Sequence, residues 1–164
     1  MAQPEEDRAA APETEGRFVD GDDVVVDLKT RLMWLKKDSW QMTGKWMNWL
    51  QARDFAGEMD RKRFAGHEGW RLPTGEEARS LFGKTYRSKD HMGESASLHP
   101  AFAPGFGFLC WTSEVRNKVQ AIRFGYRKGA PMFDDIYRVS RGATRLVRGL
   151  EKNEFQDPGR NVQG

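Results

Sequence analysis

The stretch Gly69-Trp70-Arg71-Leu72-Pro73-Thr74-Gly75-Glu76-Glu77-Ala78-Arg79-Ser80-Leu81 decides how this chain reads. Trp70 and Leu72 alternate, as on a short strand with one face in a core. Pro73 and Thr74 then set up a helix start. Thr74 with Glu77 three residues on is a capping-box pattern, so a helix is predicted from Glu76 to about Phe82. Arg71 and Trp70 also have the chemistry of an anion ligand and a stacking surface. The architectural reading is preferred, because strand alternation followed by a capped helix uses every residue of the motif.

Working towards the N-terminus, the spacing of Trp49, Ala52, Phe55, Ala56 and Met59 gives one apolar helical face and predicts a helix over 44–59, with Thr43 as its N-cap. Residues 17–36 read as a hairpin: Val24-Val25-Val26 is a β-branched run, residues 27–30 turn, and Leu32-Met33-Trp34-Leu35 return. Towards the C-terminus, residues 83–107 carry Gly, Pro, Ser, His91 and His99 and read as a long loop. Loops of that length are often functional. Strands are predicted over 108–113, 119–126, 132–137 and 144–148. Two helices early and antiparallel strands late define an α+β domain over 17–149. Residues 1–16 read as a disordered acidic tail, and residues 150–164 as a polar C-terminal tail.

The chain has 164 residues, six Trp, ten Phe and a formal net charge of +3. That suits one domain with an aromatic-rich core. Charge is unevenly spread. Residues 1–23 hold eight acids and two bases, whereas residues 115–150 hold nine bases and two acids. Arg123, Arg127, Lys128, Arg138, Arg141 and Arg145, with Tyr126 and Tyr137 as stacking surfaces, are therefore the candidate ligand-binding residues. Guanidinium forks suit sulfate, phosphate or carboxylate, so the expected partner is a protein or an anionic polymer, an acidic glycan before nucleic acid. Strand alternation divides these residues between two faces. No recognition helix, zinc pattern or RNA-binding signature accompanies them.

The signals for chemistry are thin. Cys110 is the one cysteine and sits between Leu109 and Trp111 in an apolar strand, which reads as a buried, inert thiol. His67, His91 and His99 are too scattered for a local metal motif. No cofactor or metal is expected, and the chain is expected not to be an enzyme. The alternative is an oxidase-like enzyme using Cys110 or the loop histidines. The acidic, polar N-terminus lacks signal-peptide character, and no stretch approaches a membrane span. A cytoplasmic setting is expected, with oligomers possible.

Six motifs in order then carry a resemblance: Phe18-Val19-Asp20; Thr30-Arg31-Leu32-Met33-Trp34; the helix bearing Trp49, Ala52, Phe55 and Met59; Gly69 to Thr74 with Glu76-Glu77-Ala78-Arg79-Ser80-Leu81; Trp111-Thr112-Ser113; and Arg145-Leu146-Val147-Arg148-Gly149. From about 17 to 149 the chain resembles the Lcl C-terminal domain family. The resemblance implies a C-type-lectin-like fold in which Trp34, Trp49, Trp70, Arg71, Leu72, Pro73 and Trp111 are structural. It further implies a binding domain of a bacterial family whose members are mostly secreted or surface-associated, some binding acidic glycans as trimers. Many members pair a cysteine on the first helix with one in the closing strand. Those positions align with Ala56 and Leu146 here. Loss of both together is what a reducing compartment permits, and it predicts that the two residues meet in the core. The calcium-ligating motifs of true lectins are not found.

Overall fold

The computed structural model describes residues 16–151; apart from Gly16, Leu150 and Glu151, the expected tails lie outside the described residues. The first sheet is built from β1 (Phe18–Asp20), β2 (Val24–Asp27), β3 (Leu32–Leu35) and β9 (Val147–Gly149). All its neighbours run antiparallel in the order β1-β2-β3-β9. β3 is buried at all four positions, so it needs a partner on both edges. β9 supplies one, pairing Trp34 with Val147 and Met33 with Arg148. The N-terminal hairpin therefore lies directly against the closing segment. The deciding motif joins at this edge, where Arg71 bridges Val147.

Among the described residues there are three α-helices, one more than the sequence reading predicts. The extra one is α1 (Ser39–Thr43), capped by a reciprocal Asp38–Gln41 box and ended by Gly44 at φ 73°. This places Thr43 at the end of one helix rather than at the start of the next, its hydroxyl donating to the Ser39 carbonyl. The helix α2 (Trp49–Arg61) is instead capped by Asn48 with Gln51. The error has a physical source: Thr43 and Asn48 are both acceptable caps, and five residues are too few to show a period. On α2 the predicted apolar face is real, with Ala52, Phe55, Ala56 and Met59 buried. The third helix, α3 (Gly75–Ser80), begins with the Thr74–Glu77 box as read.

Residues 83–107 are not structureless. They contain the small hairpin β4 (Ser88–Lys89) and β5 (Ser95–Ala96), and Leu98, Phe102 and Phe106 are fully buried in the core. A second sheet, β6 (Leu109–Arg116), β7 (Gln120–Gly125) and β8 (Ala130–Asp135), completes the fold, with β8 outermost. The segment 144–146 connects to β9 as buried chain and is not part of a strand. Two hydrophobic clusters form the interior. One gathers Ala56, Trp70, Leu72, Trp111 and Leu146; the other gathers Trp34, Leu81, Phe102, Phe106 and Phe124. Ala56 and Leu146 thus share one cluster, 5% and 0% exposed.

Candidate functional site

The basic C-terminal region does not form one surface. Arg145 is 3% exposed, donates to the carbonyls of Leu35 and Lys36, and lies 4.9 Å from the Phe102 ring. Burial pushes its guanidinium pKa down, with the Asp38 charge opposing. Arg123 is also buried, over Trp111, and is paired with Asp134. Arg138 shares that same carboxylate. Tyr126 is buried, and its hydroxyl donates to the Ala78 carbonyl. Arg123, Tyr126 and Arg145 are thus corrected from ligand candidates to interior polar supports. Each is at a strand or chain position facing inward, where only an internal acceptor can satisfy it. Lys128, Arg138, Arg141 and Tyr137 stay exposed, and Arg127 is partly exposed.

The motif residues behave as architecture. Trp70 is buried, its indole N–H on the Phe64 carbonyl; Leu72, Pro73, Trp34 and Trp111 are buried as well. Trp49, half-buried, donates to the Thr112 carbonyl. Arg71 forms a bidentate pair with Glu77, which ties the bridge strand to α3.

A different set of side chains meets at the surface. α1 carries Trp40, and the Gly44 turn brings Trp46 back onto it; the rings stack at 4.0 Å and 6°. Gly107 makes room for this. A Cβ there would stand 3.0 Å from the Trp46 ring and 3.3 Å from Ala143. His91, held by its N–H to the Phe106 carbonyl, sets its ring edge-on to Trp46 at 4.8 Å. Phe108 lies parallel to His91 at 6.0 Å. Arg127 covers Phe108 at 3.8 Å, and Arg141 lies 5.9 Å from the same ring. All four rings are half-buried, and none of Trp40, Trp46 or Phe108 belongs to either hydrophobic cluster.

Asp90 is the anchor of this ladder. Its carboxylate accepts from the backbone N–H groups of Met92 and Glu94 and from Arg127 Nε at 2.7 Å. Burial pushes the Asp90 carboxyl up, but Arg127 and the two amides outweigh it and hold it below the usual carboxylate range. Beneath the ladder Asp38 accepts from the Gly107 amide, in a buried polar nook of about 10 Å³ lined also by Cys110, Tyr126, Thr144 and Arg145. That volume matches about one water. Burial pushes the Cys110 thiol up to about 11.

The sequence reading names Arg127 and Arg141 among its ligand candidates and His91 only in the enzyme alternative, and it does not name Trp40, Trp46 or Phe108. A signal was present: two tryptophans six residues apart, in a polar segment containing Gly44, outside any apolar period. Of the other histidines, His99 packs between Phe18 and Tyr86, with Nδ1 accepting from the Ala101 amide. Among the described residues, no three His, Cys, Asp or Glu side chains come together as a metal site, and no helix is long and apolar enough to cross a membrane.

An α+β domain of two larger antiparallel sheets and a small hairpin, with the Trp-Arg-Leu-Pro motif bridged to the closing strand and an aromatic ladder on its surface, is the class that the described residues define. The chain belongs to the Lcl C-terminal domain family, whose model matches residues 23–148. Neither the curated proteins nor the solved structures contain a match to it.

Proposed function

We propose that this domain is a non-enzymatic binding module whose contact face is the Trp40–Trp46–His91–Phe108 ladder with Arg127 and Arg141. The observation that carries the reading is the placement of three large rings outside both cores. Exposed aromatic area is costly to leave in water and marks contact surfaces. The rings offer stacking area, and the two guanidinium groups offer charge for carboxylate or sulfate. A glycan that presents flat sugar faces and acidic groups suits both. Membership of the Lcl C-terminal domain family supports a binding role.

The enzyme alternative has less support. A thiol with a pKa near 11 stays protonated at neutral pH, and a nucleophilic cysteine needs the opposite. The apolar replacements Ala56 and Leu146, buried in one cluster, support a cytoplasmic setting.

Tryptophan fluorescence during titration with sulfated and uronic-acid oligosaccharides, and with their neutral counterparts, tests the proposal. Binding of the acidic set alone, lost in Trp40→Ala with Trp46→Ala and weakened in Arg141→Glu, is the expected result. Equal response of the double variant and the parent places the contact elsewhere. Binding only to an acidic protein segment replaces the glycan with a protein partner.

A further inference from the structure

A run of unpaired positive charge lies outside the C-terminal arginines, between α3 and β4. Residues 78–89 contain Arg79, Lys84, Arg87 and Lys89 and no acid. All four are exposed, and none has an ion pair with a described residue. Arg87 instead donates to the carbonyls of Lys84 and Tyr86, which fixes its base within the same turn. Lys128, also exposed and unpaired, joins them, because the neighbouring Gly129 packs against the Phe82 ring so closely that a Cβ would overlap it at 2.5 Å. Arg79 lies 5.9 Å from Phe124, beside that ring. Glu77 and Asp90 flank the segment, but each is already paired, with Arg71 and Arg127; Glu76, exposed in the first turn of α3, is the nearest acid along the segment with no ion pair to a described residue.

The N-terminal segment leaves the domain at this face. Arg17 donates to the Tyr86 hydroxyl at 3.0 Å and to the Ser80 carbonyl at 2.9 Å, so Gly16 stands beside the 80–86 turn. Immediately before it come Glu15 and Glu13, then Asp7, Glu6 and Glu5, with Arg8 the single base of residues 1–15. Glu13 and Glu15 start within roughly 10 Å of the exit, and Glu5 can reach roughly 35–40 Å at about 3.3–3.6 Å per residue.

We infer that residues 5–15 are the occupant of the basic face formed by Arg79, Lys84, Arg87, Lys89 and Lys128, held there by charge in cis. Tethering makes the encounter intramolecular, so weak pairs suffice. The face is contiguous with the ladder through Lys89–His91 and Arg127–Lys128, but the contact stands whether or not the ladder takes a ligand.

Paramagnetic broadening in the full-length chain tests it. Ala10→Cys carries the nitroxide; Cys110, 4% exposed, is the only other thiol. The expected result is broadening of the amides of Lys84, Arg87, Lys89 and Lys128 above the rest of the surface. It should be lost near 1 M salt, where the screening length falls to about 3 Å. It should also be lost when Glu5, Glu6, Asp7, Glu13 and Glu15 become Gln or Asn, and when Lys84, Arg87 and Lys128 become Glu. Amide shifts elsewhere report that both variants stay folded. Uniform or absent broadening overturns the inference, as does broadening centred on the aromatic ladder or on another face.

Discussion

Replacing Asp90 by Asn should loosen the aromatic ladder without unfolding the domain. The Asp90 side chain is fully buried, and its three accepted bonds divide into two kinds. Two come from the amides of Met92 and Glu94, which an Asn carbonyl can still accept. The third comes from Arg127, and there the Asn amide would meet a donor with a donor. The cost is one charge-assisted bond, about 1.5–3 kcal/mol. At about 3 °C per kcal/mol for a domain of this size, the midpoint should fall by about 5–9 °C. The pH dependence sharpens the test. The Asp90 pKa is lowered on folding, so its contribution is present above the unfolded carboxylate value and is lost as pH falls through the folded value. The difference between variant and parent should therefore be full at pH 7 and shrink below about pH 4. Thermal unfolding followed by circular dichroism at several pH values measures both. A variant as stable as the parent at pH 7, or a difference that ignores pH, would refute the reasoning that this carboxylate anchors Arg127.

Arg145→Glu should abolish folding rather than weaken ligand binding, because it places a carboxylate against the Leu35 and Lys36 carbonyls; circular dichroism and gel filtration decide. Asp134→Ala strands the buried Arg123 and should cost about 3–5 kcal/mol in urea unfolding, whereas Arg138→Ala, at the exposed end of the same carboxylate, should cost at most about 1 kcal/mol. Cys110 should resist a thiol reagent at pH 7.5 in the native state and react once the protein is unfolded in urea. Ala56→Cys with Leu146→Cys should form a bridge under oxidation, seen as protection from the same reagent; two persistently free thiols would break the aligned correspondence.

Much of the fold was legible because its signals are local. Thr74 and Glu77 announce α3 from a single turn, and the α2 face repeats at three and four residues. The pairing of β3 with β9 is not local, and no periodicity in either segment announces it. Helix α1 was invisible because five residues hold too little pattern. The candidate site was legible only in part. Sequence shows that Arg123, Arg138 and Arg145 carry charge, but not that Asp134 consumes two of them or that two carbonyls enclose the third. Conversely, Trp40 and Trp46 become a site only when the Gly44 turn folds one onto the other and the distant His91 and Phe108 extend the stack.

The outermost strand, β8, is poorly suited to recruit another strand at its free edge. Pro131 contributes no N–H, the Asp135 N–H is taken by the Asp134 carboxylate, and the Tyr137 N–H by that of Asp135. A neighbouring chain seeking to extend the sheet therefore meets an interrupted row of donors and the exposed Asp135 carboxylate, a pattern that discourages edge-to-edge stacking. Concentrating this protein should not drive it into fibrils along β8, even though Met132 and Phe133 are exposed on that strand. The two side chains alternate across the strand, and the Arg116 guanidinium already covers the Phe133 ring at 3.6 Å, so they do not add up to one sticky edge.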